Sequence, residues 1–542
     1  MERILIQTKK VIFQKQQDIL SSAIILSLMI IISRFFGLIR YRTLATFFTK
    51  EELDIFFASF RLPDFVFEML ITGALSAAFI PIFIKYKKNP EALRSNISSI
   101  INFIMGGLFI IMTISLVAAE PITRAMTPGF SEMQIQNVIS LSRILIISQL
   151  PFLVLGNIMS GIAQANRIFI VTAIAPVVYN IGIILGTIFL SESFWIYGPV
   201  IGVVIGAFLF FIVQFPIVYI VNFDYQLHRF KRDILHEFST LFVPRTLSVL
   251  TNQIDLTIDL MLSTLLGPGS YTIFFFSQHL QLFPVSFVGM AFGQAALPYV
   301  SNLYKENKLS AIRKLFVDSI LQLFYVSVPL SFFFIFARTP IVRLVFGGRK
   351  FDWIGTNLTA FTLSVFAISI PMHTIFYFIT RSFYATHDTK TPFIINFFSV
   401  FINLSLSFFF ILVLKWPVWS LALAFSIAII VNVLLLLIAF YRKIGGYNLV
   451  KLFKNSIKIY LTAFLASLGP YFVLKVFDEL ILDTARTINV FILLSIVFGL
   501  FGLAYLFFSW LFTVEEIYIL GKLFMKVRAL KKQIEEIYTE AG

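Results

Sequence analysis

Residues 23–39 read AIILSLMIIISRFFGLI, an apolar run with Arg34 inside it and Arg40 directly after it. Its length suits a membrane-crossing helix. The next apolar stretch opens at Asp54 and contains Arg61, Asp64 and Glu68. A charge at the centre of a membrane helix costs roughly 2.5–3.5 kcal/mol on the insertion scale. Such residues persist where they line a watery cavity or touch a polar molecule. The pattern therefore implies a membrane transporter, and the arginines of the first two spans point to an anionic cargo.

Composition agrees with this reading. The chain has 542 residues, 58% of them hydrophobic and 13% charged, with a mean hydropathy of +0.90. Soluble domains carry about 25% charged residues. The apolar runs are long and unbroken, which excludes the alternating ten-residue segments of a barrel. The fold class is an all-α polytopic membrane protein. There is no cysteine, so disulfides, thiolate metal sites and thiol catalysis are excluded. Five histidines without a metalloprotease spacing argue against a metal enzyme. A net charge of +15 fits basic loops facing anionic lipid headgroups, and no nucleic acid partner is expected. The polar, basic start MERILIQTKKVIFQKQQ reads as a cytoplasmic tail, not a cleaved signal.

Fourteen spans can be marked, near 20–38, 53–84, 97–119, 137–165, 168–190, 195–221, 236–266, 270–299, 314–336, 355–384, 391–413, 417–440, 456–476 and 488–512. With a cytoplasmic N-terminus, the inner loops and adjoining span ends hold 29 Lys and Arg, and the outer ones hold 11. That asymmetry predicts both termini inside. Two halves also resemble each other. RLPDFVFEMLITGALSAAFIPI (61–82) echoes LFPVSFVGMAFGQAALPYVSNL (282–303), EPITR (120–124) echoes TPIVR (339–343), and GIAQANR (161–167) sits against SFYATHD (382–388). The shared offset of about 220 residues predicts a six-helix unit repeated in parallel. The expected lobes are 1–222 and 223–445. The last two helices and a basic cytoplasmic tail follow in 446–542. Two bundles of this kind would give alternating access by rocking.

Several motifs resemble one family. SRFFGLIR (33–40) resembles the SRxxGxxR signature in the first helix of MurJ/MviN-type lipid II flippases. LDIFFASFRLPD (53–64) and GALSAAFIPIF (73–83) resemble their second helix, and TPGF (127–130) their second outer loop. NRIFIVTAIAPVVYN (166–180) and FYATHDTKTP (383–392) are similar to the starts of later helices. The likeness runs over at least residues 33–400. It implies the MOP transporter fold, two six-helix lobes of the MATE-like kind plus two C-terminal helices. It implies an undecaprenyl-pyrophosphate-linked peptidoglycan precursor as cargo, moved from the inner to the outer leaflet of the bacterial cytoplasmic membrane. There are departures. Tyr41 stands where the family has Asp, Phe67 where it has Arg with Glu68 adjacent, Thr72-Gly73-Ala74 where it has EGA, and His279 where it has an eighth-helix Arg.

The candidate substrate-binding residues are Arg34, Arg40, Arg61, Asp54, Glu68 and His279. Arg34 and Arg40 are six apart, so they lie about 120° from each other around the helix. Guanidinium forks suit pyrophosphate because they donate two hydrogen bonds at once; a snorkelling Arg40 is the plainer alternative. Asp54, Arg61 and Glu68 recur every seven residues as an alternating-sign stripe, suited to a cavity wall, a gate or a structural ion pair. His279, with Gln278 and Gln281, offers neutral hydrogen bonds to sugar or phosphate, or is a histidine satisfied within the core. Asp255 and Asp259 form an i, i+4 carboxylate pair that calls for a proton or a cation. Asn403 is a further oxygen donor, and the resemblance hints at a monovalent cation site among these spans.

The function expected is that of a flippase, not an enzyme, since no inner loop is large enough for a catalytic domain. No cofactor is expected, with coupling to Na⁺ or the membrane potential. The chain is expected to be monomeric, with a lipid-linked glycan and membrane lipids as its partners. Another lipid-linked glycan, MATE-like export of small molecules and a non-transporting homologue are the alternatives. A small-cation exporter would show acids and few arginines in its first lobe.

Overall fold

A computed structural model of the chain describes residues 19–72, 78–227 and 230–518; described side chains begin at 32 and omit 72, 244, 245, 247, 248 and 252. The Gly73-Ala74 pair of the EGA position, the Thr72 side chain and the terminal tails lie outside the described residues. Every regular element among the described residues is a helix. Lipid offers a backbone no hydrogen-bond partner, and a helix satisfies its own.

Nine helices among the described residues are long and apolar enough to cross a membrane, and two bent pairs raise this to as many as eleven. The three other expected spans fall on Ile19–Phe47, on the broken run from Lys50 to Tyr86, and on Arg232–Thr264. These hold Arg34, Arg61 and Asp259, the charges that mark them as special in the sequence.

The same breaks recur along the chain. Glu132–Ser148 meets Leu150–Ala165 at 41°, and Trp353–Ala367 meets Ile370–Ala385 at 47°. In each case a proline, Pro151 or Pro371, sits in the first turn of the second helix, where no amide donor is lost. The two pairs end alike, at Arg167 with φ 62° and at His387 with φ 57°. Trp195 and Lys415 repeat the left-handed conformation after the next helix of each half, with φ 48° and 54°. These positions are 220 apart. The register therefore moves by one from the 221 of the GIAQANR match. π-helical segments at Glu68–Thr72 and Val285–Met290 interrupt the corresponding second and eighth spans.

Packing sorts the described residues into two compact units. The first runs through Thr272 and includes Val345–Gly355; the second takes Ile273–Leu344 and the residues from Thr356 onward. The helix Arg232–Thr264 therefore packs with the first unit, beyond the repeat boundary near 222. Within the first unit, Ile170–Phe194 and Tyr197–Gln214 touch through glycine. A methyl on Gly182 would stand 2.6 Å from the Cα of Gly206, and one on Gly186 would stand 2.4 Å from that of Gly202. Small residues of this kind let membrane helices approach backbone to backbone. The TPGF turn has a similar cause, since a Cβ on Gly129 would lie 2.0 Å from the Thr264 carbonyl oxygen. The connection after residue 222 is tied down. Gln226 N–H donates to Ser98 Oγ at 3.0 Å, and Asn102 Nδ2 donates to the Leu227 carbonyl at 2.8 Å. In the second unit, Leu309–Phe336 packs on Leu449–Val476, and Tyr505 donates to the Tyr325 carbonyl at 3.0 Å.

The charge asymmetry yields a direct test of orientation. Ser191, at the expected outer turn, is buried, whereas Ser193 and Pro268 are exposed beside it and at the following outer turn. Single cysteines at Ser193 and Pro268 should react with an impermeant thiol reagent added outside whole cells, and one at Glu306 should not. The native chain has no cysteine to confuse the signal. Reversed labelling would refute a cytoplasmic N-terminus.

Candidate substrate cavity

The first unit encloses a cavity of about 520 Å³. Five helical segments build it, Tyr197–Gln214 adding Phe210, and three of them show a readable period. Arg61, Asp64, Phe67 and Glu68 come from the second span. Gln149, Leu153, Asn157, Ser160 and Gln164 come from the bent pair, at steps of three or four. Thr172, Pro176 and Tyr179 repeat that step on the next helix, and Gln253 and Leu256 are added from Arg232–Thr264. The wall mixes amides and hydroxyls with apolar side chains, and among the described residues it holds one guanidinium and two carboxylates.

Arg61 is held firmly. Its Nε donates to Thr257 Oγ1 at 3.0 Å, and one terminal nitrogen donates to the Gln253 carbonyl at 3.0 Å and to Gln253 Oε1. All three acceptors are neutral, so the positive charge is positioned without being cancelled at contact. Asp64 and Asp259 lie within its electrostatic reach. Asp64 faces the cavity, open to a water-sized probe, with no hydrogen bond or ion pair from its carboxylate among the described residues. Gln149 is 2% exposed, and its Nε2 donates to Tyr179 Oη at 3.0 Å. Ser160 Oγ donates to Gln214 Oε1.

The residues singled out in the sequence divide. Arg61 and Glu68 line the cavity. Arg40 does not line it, yet its charge reaches Asp64 and Tyr179, and its guanidinium lies 4.5 Å from the ring centre of Tyr41. Arg34 is exposed one and a half turns earlier on the first helix.

Asp54 requires a correction, because it does not line this cavity and is held instead by Gly269 and Thr272. It is fully buried and accepts from Gly269 N–H at 2.6 Å, Thr272 N–H at 2.7 Å and Thr272 Oγ1 at 2.8 Å. It caps the start of the Ser270–Pro284 helix, where orphan amide donors and the positive end of the helix dipole favour a carboxylate. The seven-residue stripe is therefore split. Asp54 serves structure, while Arg61 and Glu68 serve the cavity.

His279 belongs to the second unit, and its Nδ1 sits 2.9 Å from the Phe275 carbonyl one turn back, under the Phe275 ring. Asp255 and Asp259 lie in the first unit on one helix and interact electrostatically, Asp259 being buried. Asn403 is buried in the second unit. Among the described residues no group of three or more His, Cys, Asp or Glu gathers as a metal site. On the exposed Ala119–Met126 helix, Arg124 donates to Glu132 at 2.7 Å and to Glu120 at 3.0 Å. Hydrogen bonds to Glu132 and then to Glu120 push its pKa up.

Family comparison now bears on this cavity. The family model "Lipid II flippase MurJ" matches residues 44–491. The chain belongs to that family. A probable lipid II flippase MurJ of Buchnera aphidicola subsp. Acyrthosiphon pisum is 26% identical over 501 residues, covering 90% of this chain and 96% of the relative. The lipid II flippase MurJ of Burkholderia cenocepacia is 24% identical over 375 residues, covering 67% of this chain and 72% of the relative. A solved lipid II flippase MurJ in an inward closed conformation superposes with a TM-score of 0.77 at 27% identity, covering 91% of this chain and all of that one. A multidrug resistance MATE family transporter of the MOP superfamily shares the fold alone, with a TM-score of 0.67 at 14% identity, 76% of this chain and 94% of that one. The MOP architecture and the MurJ resemblance read from the motifs are thus upheld.

The role given to Asp54 is testable. Asp54→Ala leaves the Gly269 and Thr272 amides without their acceptor. Each buried donor so orphaned costs about 1–3 kcal/mol. The purified variant should melt several degrees lower, and Asp54→Asn, which keeps one acceptor oxygen, should lose less. An unchanged melting temperature for Asp54→Ala would refute the cap.

Proposed function

We propose that this chain is a lipid II flippase. It takes undecaprenyl-pyrophosphate-linked peptidoglycan precursor at the inner leaflet of the bacterial cytoplasmic membrane and releases it at the outer leaflet. The family match over residues 44–491 carries this reading. The cavity of about 520 Å³ in the first unit supports it, because its amides and hydroxyls offer a glycan hydrogen-bonding partners inside an apolar body. Access alternates between the two leaflets, and no bond is made or broken, so the protein is a transporter and not an enzyme. It acts as a monomer with both termini in the cytoplasm. Lipid tails cover apolar flanks such as Phe109, Phe189 and Phe453, all more than 70% exposed.

Arg34 and Arg40 hold the pyrophosphate, and Arg61 anchors the adjoining glycan in the cavity. The fork of an arginine meets two phosphate oxygens at once, which the point charge of a lysine cannot do. By the motif resemblance, Phe67 and His279 stand where the family is expected to carry arginine, so the first helix bears more of the anion. Losing one charge-assisted hydrogen bond of about 1.5–3 kcal/mol weakens binding about ten- to hundredfold. In a bacterium whose own flippase is withdrawn, the unmutated chain should restore growth. Arg34→Ala, inserted at normal levels, should not, and lipid-linked precursor should accumulate on the inner leaflet. Full growth with the Arg34→Ala, Arg40→Ala double variant would refute this use of the first helix.

The same reading gives the Asp255–Asp259 pair of the first unit to a coupling monovalent cation. Asp259→Asn should weaken the dependence of vesicle transport on sodium, protons or membrane potential more than it weakens folding. Unaltered dependence on all three would remove the cation from the mechanism.

A further inference from the structure

The second unit holds a cavity of its own, of about 530 Å³. It lies where Leu309–Phe336 and Leu449–Val476 begin and Trp419–Lys443 ends, so three helices bring the same membrane face to it. In the orientation proposed above that face is cytoplasmic. Arg313, Lys314, Asp318, Tyr447 and Lys451 are in its wall. Arg313 is set in place from one side. Its Nε donates to the Ile444 carbonyl at 2.8 Å, and a Cβ on Gly445 would stand 2.6 Å from one of its terminal nitrogens. Gly445 and Gly446 have φ of 73° and 94°, a turn that glycine makes without strain, so the guanidinium can lie against bare backbone. The buried Tyr447 closes the wall, donating from Oη to the Leu437 carbonyl at 3.1 Å. The two terminal nitrogens of Arg313 make no hydrogen bond or ion pair among the described residues, and the exposed Lys314 ammonium makes none either. Asp318 is one turn on from Lys314, yet it pairs with Lys451 at 2.9 Å, and Lys451 also meets Glu515 at 3.6 Å. The acids beside the cavity are thus met by Lys451, while a fixed guanidinium fork and a neighbouring ammonium keep their donors. Such a fork fits two oxygens of a phosphate at once, and an ammonium can take a third. The positive end of the 28-residue helix Leu449–Val476 adds to the same potential.

We propose that Arg313 and Lys314 form a binding site for a phosphate group at this face of the second unit. The inference stands apart from the flippase reading, because it uses none of the residues given to the cargo. The phosphate has two possible sources, the headgroup of an anionic membrane lipid and a small soluble phosphate. Both present the same oxygens to the fork. A lipid has one further contact. Val450 and Phe453, 77% and 71% exposed, follow the cavity edge on the helix of Lys451 and offer apolar surface to an acyl chain. Basic pockets between membrane helices at the cytoplasmic surface hold lipid headgroups in this manner. In either case the anion would join the start of Leu309–Phe336 to the Gly445–Gly446 turn, a connection made among the described residues by the Arg313 bond to Ile444.

The test titrates three probes onto the purified full-length chain in neutral detergent at matched ionic strength: phosphatidylglycerol with a fluorescent acyl chain, phosphatidylcholine with the same label, and inorganic phosphate. Phosphatidylglycerol should bind more tightly than phosphatidylcholine. Arg313→Ala removes a charge-assisted pair of hydrogen bonds and should weaken the phosphatidylglycerol complex about ten- to hundredfold, with little change for phosphatidylcholine. Arg313→Lys should recover little of this, because a point charge does not reproduce the fork. Lys314→Ala alters an exposed side chain that holds nothing else, and it should cost about fivefold; it carries the test if the Arg313 variants fail to fold. Inorganic phosphate binding that depends on Arg313 or Lys314, with the two lipids bound alike, would uphold the site and give it to a soluble phosphate. Equal binding of the two lipids together with no phosphate binding would overturn the site. So would a lipid preference that survives in the folded Arg313→Ala and Lys314→Ala variants, since the anion would then lie elsewhere. The flippase reading is untouched by either failure.

Discussion

Hydrocarbon lends no hydrogen bonds, and this constraint orders the whole molecule. Each backbone amide must find its carbonyl inside the protein, which is why every regular element among the described residues is a helix. Wherever a helix starts or stops within the protein, the orphaned groups need a partner. Asp54 supplies one at Gly269 and Thr272. Thr49 and Ser131 supply others through capping boxes with Glu52 and Gln134. Functional groups appear where the same rule is relaxed. The π segment Glu68–Thr72 opens the ladder at the cavity wall. The Gln149 hinge, between two helices at 41°, turns an amide toward the same space.

Much of the architecture was legible because its signals are periodic or repeated. Long apolar runs gave helices, and three echoes at one spacing anticipated breaks that recur 220 residues apart at Arg167 and His387. The one-residue difference in register arose because the sequence match was set by small residues, whereas the turn is set by the position that takes a positive φ. The limits of the compact units were not legible. A repeat reports how a sequence is duplicated. The helix Arg232–Thr264 follows the packing of its side chains, which joins the unit before it.

The candidate site was half legible. Charges inside apolar spans are costly and therefore conspicuous, so Arg61 and Glu68 were found. The same criterion selected Asp54, because cost alone does not separate a charge facing a cavity from one held by backbone amides. It missed the neutral majority of the wall. Gln149, Asn157, Ser160 and Gln164 lie at helical spacing and form one face, a pattern present in the sequence but outside a reading that took neutral groups only beside an ionisable one. His279 showed the converse. One of its ring nitrogens meets the carbonyl of Phe275, a contact that the sequence around it does not announce.

The glycine contact between Ile170–Phe194 and Tyr197–Gln214 has a mechanical meaning. Two helices whose backbones touch at Gly182–Gly206 and Gly186–Gly202 have no compressible layer of side chains between them. They cannot slide without lifting apart, so the pair has the stiffness of a single beam. Deformation in the first unit is then concentrated where the hydrogen-bond ladder is already interrupted, at the Gln149 bend and the Glu68–Thr72 segment. Both of these compliant points are also cavity wall. In this unit, flexing and gripping are carried by the same few residues, so a change in the shape of the body is a change in the grip on whatever the cavity holds.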